Sequence, residues 1–417
     1  MFSSLNIRIG FFLAVRQIRR ASFWTTGLIV FVMVLTFLNL VVVSGVLVGL
    51  IQGSVDSQRA QYTSDVIVSS LNDKEYIENS PEIMNIIKSL PEVESASARY
   101  RLGGTLEANY KTRKDTDKPN TATALIMGID PVAENGVTGI SKNIAEGEYL
   151  LPTDYDKIII GHFLLDQYVP VDNPGFLALS NVSPGTKIRI SVNGVRREVA
   201  VKGIIKSKVQ DISRSAYMVD SQFRSIIGRN DGNVAEIAIK LKPGADPSAV
   251  RDSLILSGVD NVAKVQTYDD AQPQFLKDVI KTFGMLGNML SSIGLVVASI
   301  TIFIVIFINA ITRRKFIGIL KGIGINGKAI EASYVFQSIF YALCGSFIGL
   351  ILVYAVLVPF FVAHPIDFPF SDGILVAPIG QTIIRVGLLV LSTVIAGYVP
   401  ARMIVRKNTL DSILGRN

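Results

Sequence analysis

The segment Gly322-Ile323-Gly324-Ile325-Asn326-Gly327-Lys328-Ala329 holds the residue types that cradle phosphate. Its glycines have the spacing of a dinucleotide fingerprint. Gly327-Lys328 falls short of a phosphate-binding loop only where Ala329 replaces the Ser or Thr hydroxyl that would hold Mg²⁺. Both motifs work only where a strand feeds the loop and the loop opens a helix of an α/β sheet. Here the segment lies in a connection between two long apolar stretches, so the match is read as coincidence, and the glycines as the means by which a short helix begins and ends sharply. Other chemistry is sparse. A single cysteine, Cys344, excludes a disulfide framework and a cysteine metal cluster, and two histidines, His162 and His364, are too few for a histidine-rich site or a Cys/His dyad. There is no metalloprotease helix motif and no G-x-S-x-G elbow. Asp154, Asp156, Asp269 and Asp270 are read as solvated carboxylates and His162 as a satisfied structural residue, so no catalytic residue, metal ligand or cofactor site is expected.

The elements that carry these residues follow from the distribution of charge. The chain has 417 residues, of which 49% are apolar and only 18% charged, with a mean hydropathy of +0.42, which excludes a disordered chain and a wholly soluble one. No Asp, Glu, Lys or Arg lies between Arg20 and Asp56, between Lys281 and Arg313 or between Glu331 and Asp367. The run Leu28–Ile51 alone would reach roughly 36 Å as a helix, against a hydrocarbon core of about 30 Å. It is too long for the apolar region of a cleavable signal and is read as a retained anchor. A fourth apolar stretch contains Gln381 and Arg385. Arg385 stands near one end of that span, where a long side chain can snorkel to the headgroups.

Orientation is read from the basic residues. The N-terminal segment, the connection between the second and third spans and the C-terminal tail together hold 13 Lys and Arg against Glu331 and Asp411, whereas the connection between the third and fourth spans has Asp367 and Asp372 and no cation. The positive-inside rule then places both termini in the cytoplasm, and the net charge of +7 reflects topology, leaving no support for a nucleic-acid partner. The sequence thus predicts a polytopic α-helical membrane protein with four transmembrane helices and a large mixed α+β extracytoplasmic domain between helices 1 and 2. Its expected order is a cytoplasmic amphipathic segment (1–22), span one (23–51), the external domain (52–284) and span two (285–311). A cytoplasmic connection (312–332), span three (333–361), a short external loop (362–373), span four (374–399) and a cytoplasmic tail (400–417) follow.

The external domain is balanced, with 27 basic and 30 acidic residues. Within it Asp65–Ser70 and Ala122–Ile129 read as strands and Pro81–Leu90 as a helix. Lys187–Val192 and Val195–Ile205 read as a hairpin closed by Asn193-Gly194, whose positive φ angles suit a type I′ turn. Val234–Leu241 reads as a strand, Asp246–Leu256 as a helix, and the polar stretch Lys111–Thr121 as an exposed loop. The domain is long enough for a real core, in one or two subdomains. Arg8, Arg16, Arg19 and Arg20 share one sector of an N-terminal helix expected to lie along the inner membrane surface, and Asp269–Lys281 is expected to lead into span two as a helix.

One span, a large external domain and three further spans resemble the permease subunits of the MacB/FtsX/LolC-LolE class of ABC systems. Three stretches carry the likeness. Arg313-Arg314-Lys315-Phe316-Ile317-Gly318-Ile319-Leu320-Lys321-Gly322-Ile323-Gly324 resembles the segment that follows the family's second span. Gly397-Tyr398-Val399-Pro400-Ala401-Arg402, with Leu410-Asp411-Ser412-Ile413-Leu414, is similar to its C-terminal ending, and Ala14-Val15-Arg16-Gln17-Ile18-Arg19-Arg20 to its approach to span one. Phe316 and Gln337 depart from it, each standing where the family commonly has Glu.

The resemblance implies a non-catalytic membrane subunit of the inner membrane, with ATP hydrolysis in a separate cytoplasmic ATPase docked around Phe316, Ile317, Gly318, Lys321, Gly322, Gly324 and Lys328. The C-terminal motif Pro400-Ala401-Arg402 goes with it. It implies a second permease subunit, contact with lipid, and a lipoprotein or other amphiphile as cargo, and the size of the external domain is closest in layout to LolC/LolE. Two alternatives fit the same sequence: an FtsX-like regulator of an external cell-wall hydrolase, and an anchored external receptor or enzyme with no ATPase.

Overall fold

The charge-free stretches fold as long helices in a computed structural model, which describes residues 4–114, 117–169, 177–272, 274–364, 366–368, 371–373 and 375–406. Contacts divide the chain into a helical unit (Met1–Ile51, Asp278–Asp367, Asp372–Asn417) and a sheet domain (Gln52–Lys277, Phe368–Ser371).

In chain order, α1 (Ser4–Arg19) precedes α2 (Phe23–Leu38), which runs through a π-helical turn, Asn39–Val43, into α3 (Ser44–Gln58). A second π-helical turn, Arg59–Thr63, leads to the sheet domain. There β1 (Val66–Ser70), α4 (Ser80–Ser89), β2 (Val93–Ala108), β3 (Asn120–Ile129), α5 (Pro131–Thr138), β4 (Ile144–Gly147) and β5 (Lys157–Gly161) come first. They are followed by β6 (Lys187–Val192), β7 (Val195–Ile205), α6 (Gln210–Ser213), β8 (Ser215–Val219), α7 (Asp220–Ile227), β9 (Glu236–Leu241), α8 (Pro247–Leu256) and β10 (Ala263–Thr267). The chain then forms α9 (Gln274–Thr312), α10 (Arg314–Gly322), α11 (Gly327–Ile351), α12 (Val358–Ala363), the short strands β11 (Ile366–Phe368) and β12 (Ser371–Gly373), and α13 (Ile379–Val405).

Among the described residues four continuous helical stretches are long and apolar enough to cross a membrane: Phe23–Thr63, Leu276–Thr312, Gly327–Ala363 and Ile379–Val405. The helices outrun the apolar runs that define the expected spans. The first passes residue 51, the second begins well before 285, and the connection expected over 312–332 is itself mostly helical. The helix α13 carries Pro400 in its interior and continues to Val405.

Helix contacts in this unit use small residues. Gly345 and Gly349, one turn apart on α11, face Met33 and Phe37 of α2, and a Cβ at either position would overlap them. This is the small-xxx-small contact that lets helices approach closely in lipid. The helix α1 buries Asn6, Gly10, Leu13, Ala14 and Gln17, with Gly10 against Ala329 and Ala332 of α11, while Arg8, Arg16, Arg19 and Arg20 stay exposed. It packs on α11 through a buried stripe that recurs every three to four residues and is made of small and amide side chains with Leu13.

The sheet domain is built on one mixed sheet in the order β10-β1-β9-β2-β3-β8-β5-β7-β4, with β6 pairing β2 and β7. Pairs β3–β8 and β5–β7 are parallel and the others antiparallel. The expected hairpin is present: Val192 pairs with Val195, and Asn193 and Gly194 take φ of 48° and 80°. Two cores share the sheet because β2 is long enough to serve both. Its first half pairs with β9 beside Val68, Ile87, Ile237 and Leu254, and its second half with β3 and β6 beside Leu106, Ile126, Ile188 and Phe223.

Candidate coupling surface

The residues expected to meet an ATPase lie on a folded helix-turn-helix. The apolar residues of α10 divide over two faces: Ile317, Gly318 and Leu320 are buried, whereas Phe316, Ile319 and Ile323 are 47%, 53% and 70% exposed. The helix ends with Gly324 at φ 92° and with the Ile325 N–H donating to the Leu320 carbonyl, a left-handed termination that glycine permits. Asn326 then caps α11, its side chain accepting from the Lys328 N–H at 3.0 Å. The phosphate-like motif therefore opens a helix but is fed by another helix, which is the wrong context for either nucleotide fold.

Lys321 Nζ donates to the Val405 carbonyl at 3.0 Å, tying α10 to the last turn of α13 and satisfying one of the carbonyls that a helix end leaves open. Gly322, Gly324 and Lys328 are exposed beside it. Pro400 and Ala401 are buried within α13, while Arg402 is exposed with its guanidinium 5.6 Å from the Tyr398 ring. The rest of the C-terminal motif, Leu410 to Leu414, lies outside the described residues.

Sequence reasoning missed a cleft next to this helix. A cavity of 290 Å³ is lined by Leu13, Arg16, Gln17 and Arg20 from the N-terminal segment and by Arg313 and Phe316. Three guanidinium groups beside a half-exposed phenyl ring suit an acidic, partly apolar protein surface. Behind it Gln337 Nε2 donates to Gln17 Oε1 at 2.6 Å, so the neutral residue at position 337 belongs to a buried amide pair. The signal was present as the cluster Arg16-Gln17-Ile18-Arg19-Arg20, but nothing in spacing alone joins it to Phe316 some 300 residues later.

Within the sheet domain the structure assembles a buried polar cluster that was also not foreseen. Arg99, 1% exposed, donates through Nε and Nη2 to Glu134 at 2.8 and 2.7 Å, through Nη1 to Glu236 at 3.0 Å and through Nη2 to the Tyr62 carbonyl at 2.9 Å. Ser97 and Thr138 complete Glu134, and the Tyr62 hydroxyl and Arg101 complete Glu236. Burial alone would lower the Arg99 pKa, but Glu134 and Glu236 outweigh it and hold the guanidinium charged. With every member bonded, the cluster is a fastening between the Arg59–Thr63 turn, β2, α5 and β9.

Asp154 corrects the reading of its group as solvated. Its side chain is 5% exposed, accepts from Lys157 at 2.8 Å, Lys202 at 2.6 Å and the Leu151 N–H at 2.8 Å, and closes the turn before β5. Burial would raise its pKa, and those hydrogen bonds overcome that and pull it down to about 2. Asp156 pairs with Arg197, and Asp270 with Arg251 and Thr267. His162 is buried, and its Nδ1 has no hydrogen-bond partner among the described residues. Burial holds its pKa below the ordinary imidazole value, against a backbone hydrogen bond with Ile205. No group of three or more His, Cys, Asp or Glu that could hold a metal occurs among the described residues.

Two family models match the chain, the MacB-like periplasmic core domain over residues 26–255 and the FtsX-like permease C-terminal region over residues 288–409. The chain belongs to the MacB/FtsX class of ABC transporter permeases. Among protein sequences it is 24% identical over 269 residues to the macrolide export ATP-binding/permease protein MacB of Campylobacter fetus subsp. fetus, covering 62% of this chain and 38% of that protein. It is 26% identical over 288 residues to an uncharacterized ABC transporter permease of Methanocaldococcus jannaschii, covering 66% of each. The chain thus spans less than two thirds of the length of either relative. Among solved structures it is similar to the periplasmic region of MacB from Actinobacillus actinomycetemcomitans, at 15% identity and a TM-score of 0.36 over 54% of this chain and 96% of that one. It is also similar to the extracellular domain of the noncanonic ABC-type transporter YknZ from Gram-positive bacteria, at 14% identity and a TM-score of 0.34 over 49% of this chain and 99% of that one. For this MacB/FtsX permease the sheet domain corresponds to the extracytoplasmic core, and α10 lies within the FtsX-like region.

Proposed function

We propose that this permease is a non-catalytic subunit that docks a separate ATPase on α10 and converts ATP hydrolysis into movement of its extracytoplasmic domain, in the service of lipoprotein or other amphiphile release. The observation that carries this reading is the outward display of Phe316, Ile319 and Ile323 on a helix anchored by Ile317, Leu320 and the Lys321–Val405 tie. An amphipathic helix presenting an unpartnered apolar edge beside three arginines is built to meet another protein. The basic residues of the same connection support a cytoplasmic position for it and for both termini, with the spans in the inner membrane. Pairing with a second permease subunit completes the assembly. The name of the Campylobacter relative joins ATP-binding and permease parts in one protein, which supports an ATPase as the partner here. The absence of acidic residues from the four apolar stretches supports a cargo handled outside the bilayer or at its outer leaflet, since polar translocation paths usually display paired charges.

The test is extraction of the full chain from its native membrane in mild detergent, with quantitative mass spectrometry of what co-purifies. A stoichiometric ATPase is expected with the wild type and is expected to be lost from Phe316→Asp/Ile319→Asp, while the variant still inserts and melts like the parent. An intact complex lacking any ATPase would refute the proposal. A co-purifying lipoprotein supports release, and a cell-wall hydrolase in its place would overturn the amphiphile cargo.

A further inference from the structure

Arg385 is engaged by side chains of the helical unit. Its Nη2 donates to Ser44 Oγ of α3 at 2.5 Å and lies 3.4 Å from Gln381 Oε1, so the guanidinium points into the helical unit. Both partners are neutral, and Nη1 is buried with no hydrogen-bond partner among the described residues. Nor can the apolar stretches supply a counter-ion, because none of residues 21–55, 282–312, 332–366 and 374–399 is Asp or Glu. An arginine within a membrane-spanning helix that keeps an open, buried donor is costly unless an anion from outside the chain completes it.

The surroundings specify that anion further. Arg385 opens onto a cavity of 470 Å³ between α3, α9 and α13. Its lining combines polar Ser44, Asn288 and Gln381, of which Ser44 and Gln381 meet the guanidinium, with apolar Leu47, Ile51 and Leu388. Gly287 of α9 keeps the gap open: a Cβ there would stand 3.3 Å from Leu47 Cδ1 and 3.7 Å from Ser44 Oγ. A planar fork of donors beside an apolar wall fits an anionic headgroup joined to an acyl chain better than a small soluble ion.

We propose that this cleft is a binding site for a phosphate-headed lipid, with Arg385 as its headgroup ligand and the Leu47–Leu388 wall seating part of a chain. The site requires the four-span fold and is independent of the ATPase proposal.

The experiment is native mass spectrometry of the detergent-purified full chain, titrated with dioleoylphosphatidylglycerol or with dioleoylglycerol, which has the same chains and no phosphate. Wild type should retain phosphatidylglycerol preferentially. Arg385→Gln should weaken it by about tenfold to a hundredfold, the range for losing a hydrogen bond to a charged group, and leave dioleoylglycerol binding unchanged. Arg385→Lys should restore part of the loss. Gly287→Leu keeps the charge and fills the gap, so it should also weaken retention, and it serves where the arginine variant fails to fold. Equal phosphatidylglycerol binding by wild type and Arg385→Gln would overturn the site. So would full displacement of the lipid by millimolar inorganic phosphate, which would assign the cleft to a free anion, or cross-linking of Asn288→Cys to a second copy with no lipid retained, which would assign it to a subunit contact.

Discussion

Arg99→Met is the most direct probe of the buried cluster in the sheet domain. The substitution keeps most of the side-chain volume and removes every hydrogen bond that Arg99 makes to Glu134, Glu236 and Tyr62. Among the described residues Glu134 is left with Ser97 and Thr138 as side-chain donors, in a site where its side chain is 2% exposed. Breaking a buried ion pair by removing one partner typically costs about 3–5 kcal/mol, and the bidentate geometry here places the expected loss in that range. Arg101 supplies the contrast: it also meets Glu236, at 3.2 Å, but its side chain is 36% exposed, so Arg101→Met should cost about 1 kcal/mol or less. Hydrogen exchange of the full chain in detergent reads the difference as the opening free energy of β1 and of the Arg59–Thr63 turn, which Tyr62 fastens to the cluster. Neutralising the stranded acids with Glu134→Gln and Glu236→Gln in the Arg99→Met background should recover a large part of the loss, because the penalty lies in the unpaired charges. If Arg99→Met and Arg101→Met open this region equally, the cluster is not the fastening described here.

Two further outcomes follow from local geometry. Asp154 has a folded pKa of about 2 against an ordinary value of 3.8, so its contribution is present above about pH 4 and is lost as pH falls toward 2. The contribution is at most about 2 kcal/mol, and the acid-induced loss of protection around β5 should be flatter in Asp154→Asn than in the parent. Gly349→Leu would drive a side chain into Phe37 and should lower the thermal midpoint in detergent by the equivalent of about 1–3 kcal/mol. Gly322→Ala, where a Cβ meets nothing within 4 Å, should stay within about 0.5 kcal/mol of wild type; equal effects of the two would refute the close α2–α11 contact.

Long, one-dimensional signals were the ones legible in the sequence. Four apolar runs, the Asn193-Gly194 hairpin and the helix read over Asp246–Leu256 each depend on residues adjacent in the chain, and all three kinds of feature are present in the structure. What stayed hidden required side chains brought together across long loops. Ser97 and Arg99 alternate along β2 on one face, a hint that an inward position is charged, but Glu134 and Glu236 meet them only after α5 and β9 are packed. Asp154 looked like a surface residue because acidic residues usually are; the lysines that neutralise it stand 3 and 48 positions away. The Arg385 contact was hidden for the related reason that distance from a span's end says how far a side chain can reach and nothing about Ser44 on a neighbouring helix.

The candidate coupling surface joins both kinds of information. Exposed apolar residues on α9 and α13 need no partner protein, because lipid is their solvent. That account fails for α10. Its exposed Phe316, Ile319 and Ile323 share a short connection with Arg313, Arg314, Lys315, Lys321 and Lys328, and such a charge density belongs outside the hydrocarbon region. An apolar edge in a polar setting is a liability unless something covers it, and the α1 residues Arg16 and Gln17, with Arg20 just beyond, line the neighbouring cavity without covering Ile319 or Ile323, both of which remain exposed. Helix α10 is in turn held by Lys321 to the end of α13, so on the proposed reading a push on its exposed edge would reach that helix. A docking helix that flexed freely could bind an ATPase and transmit nothing; one pinned to the last turn of a span can do both.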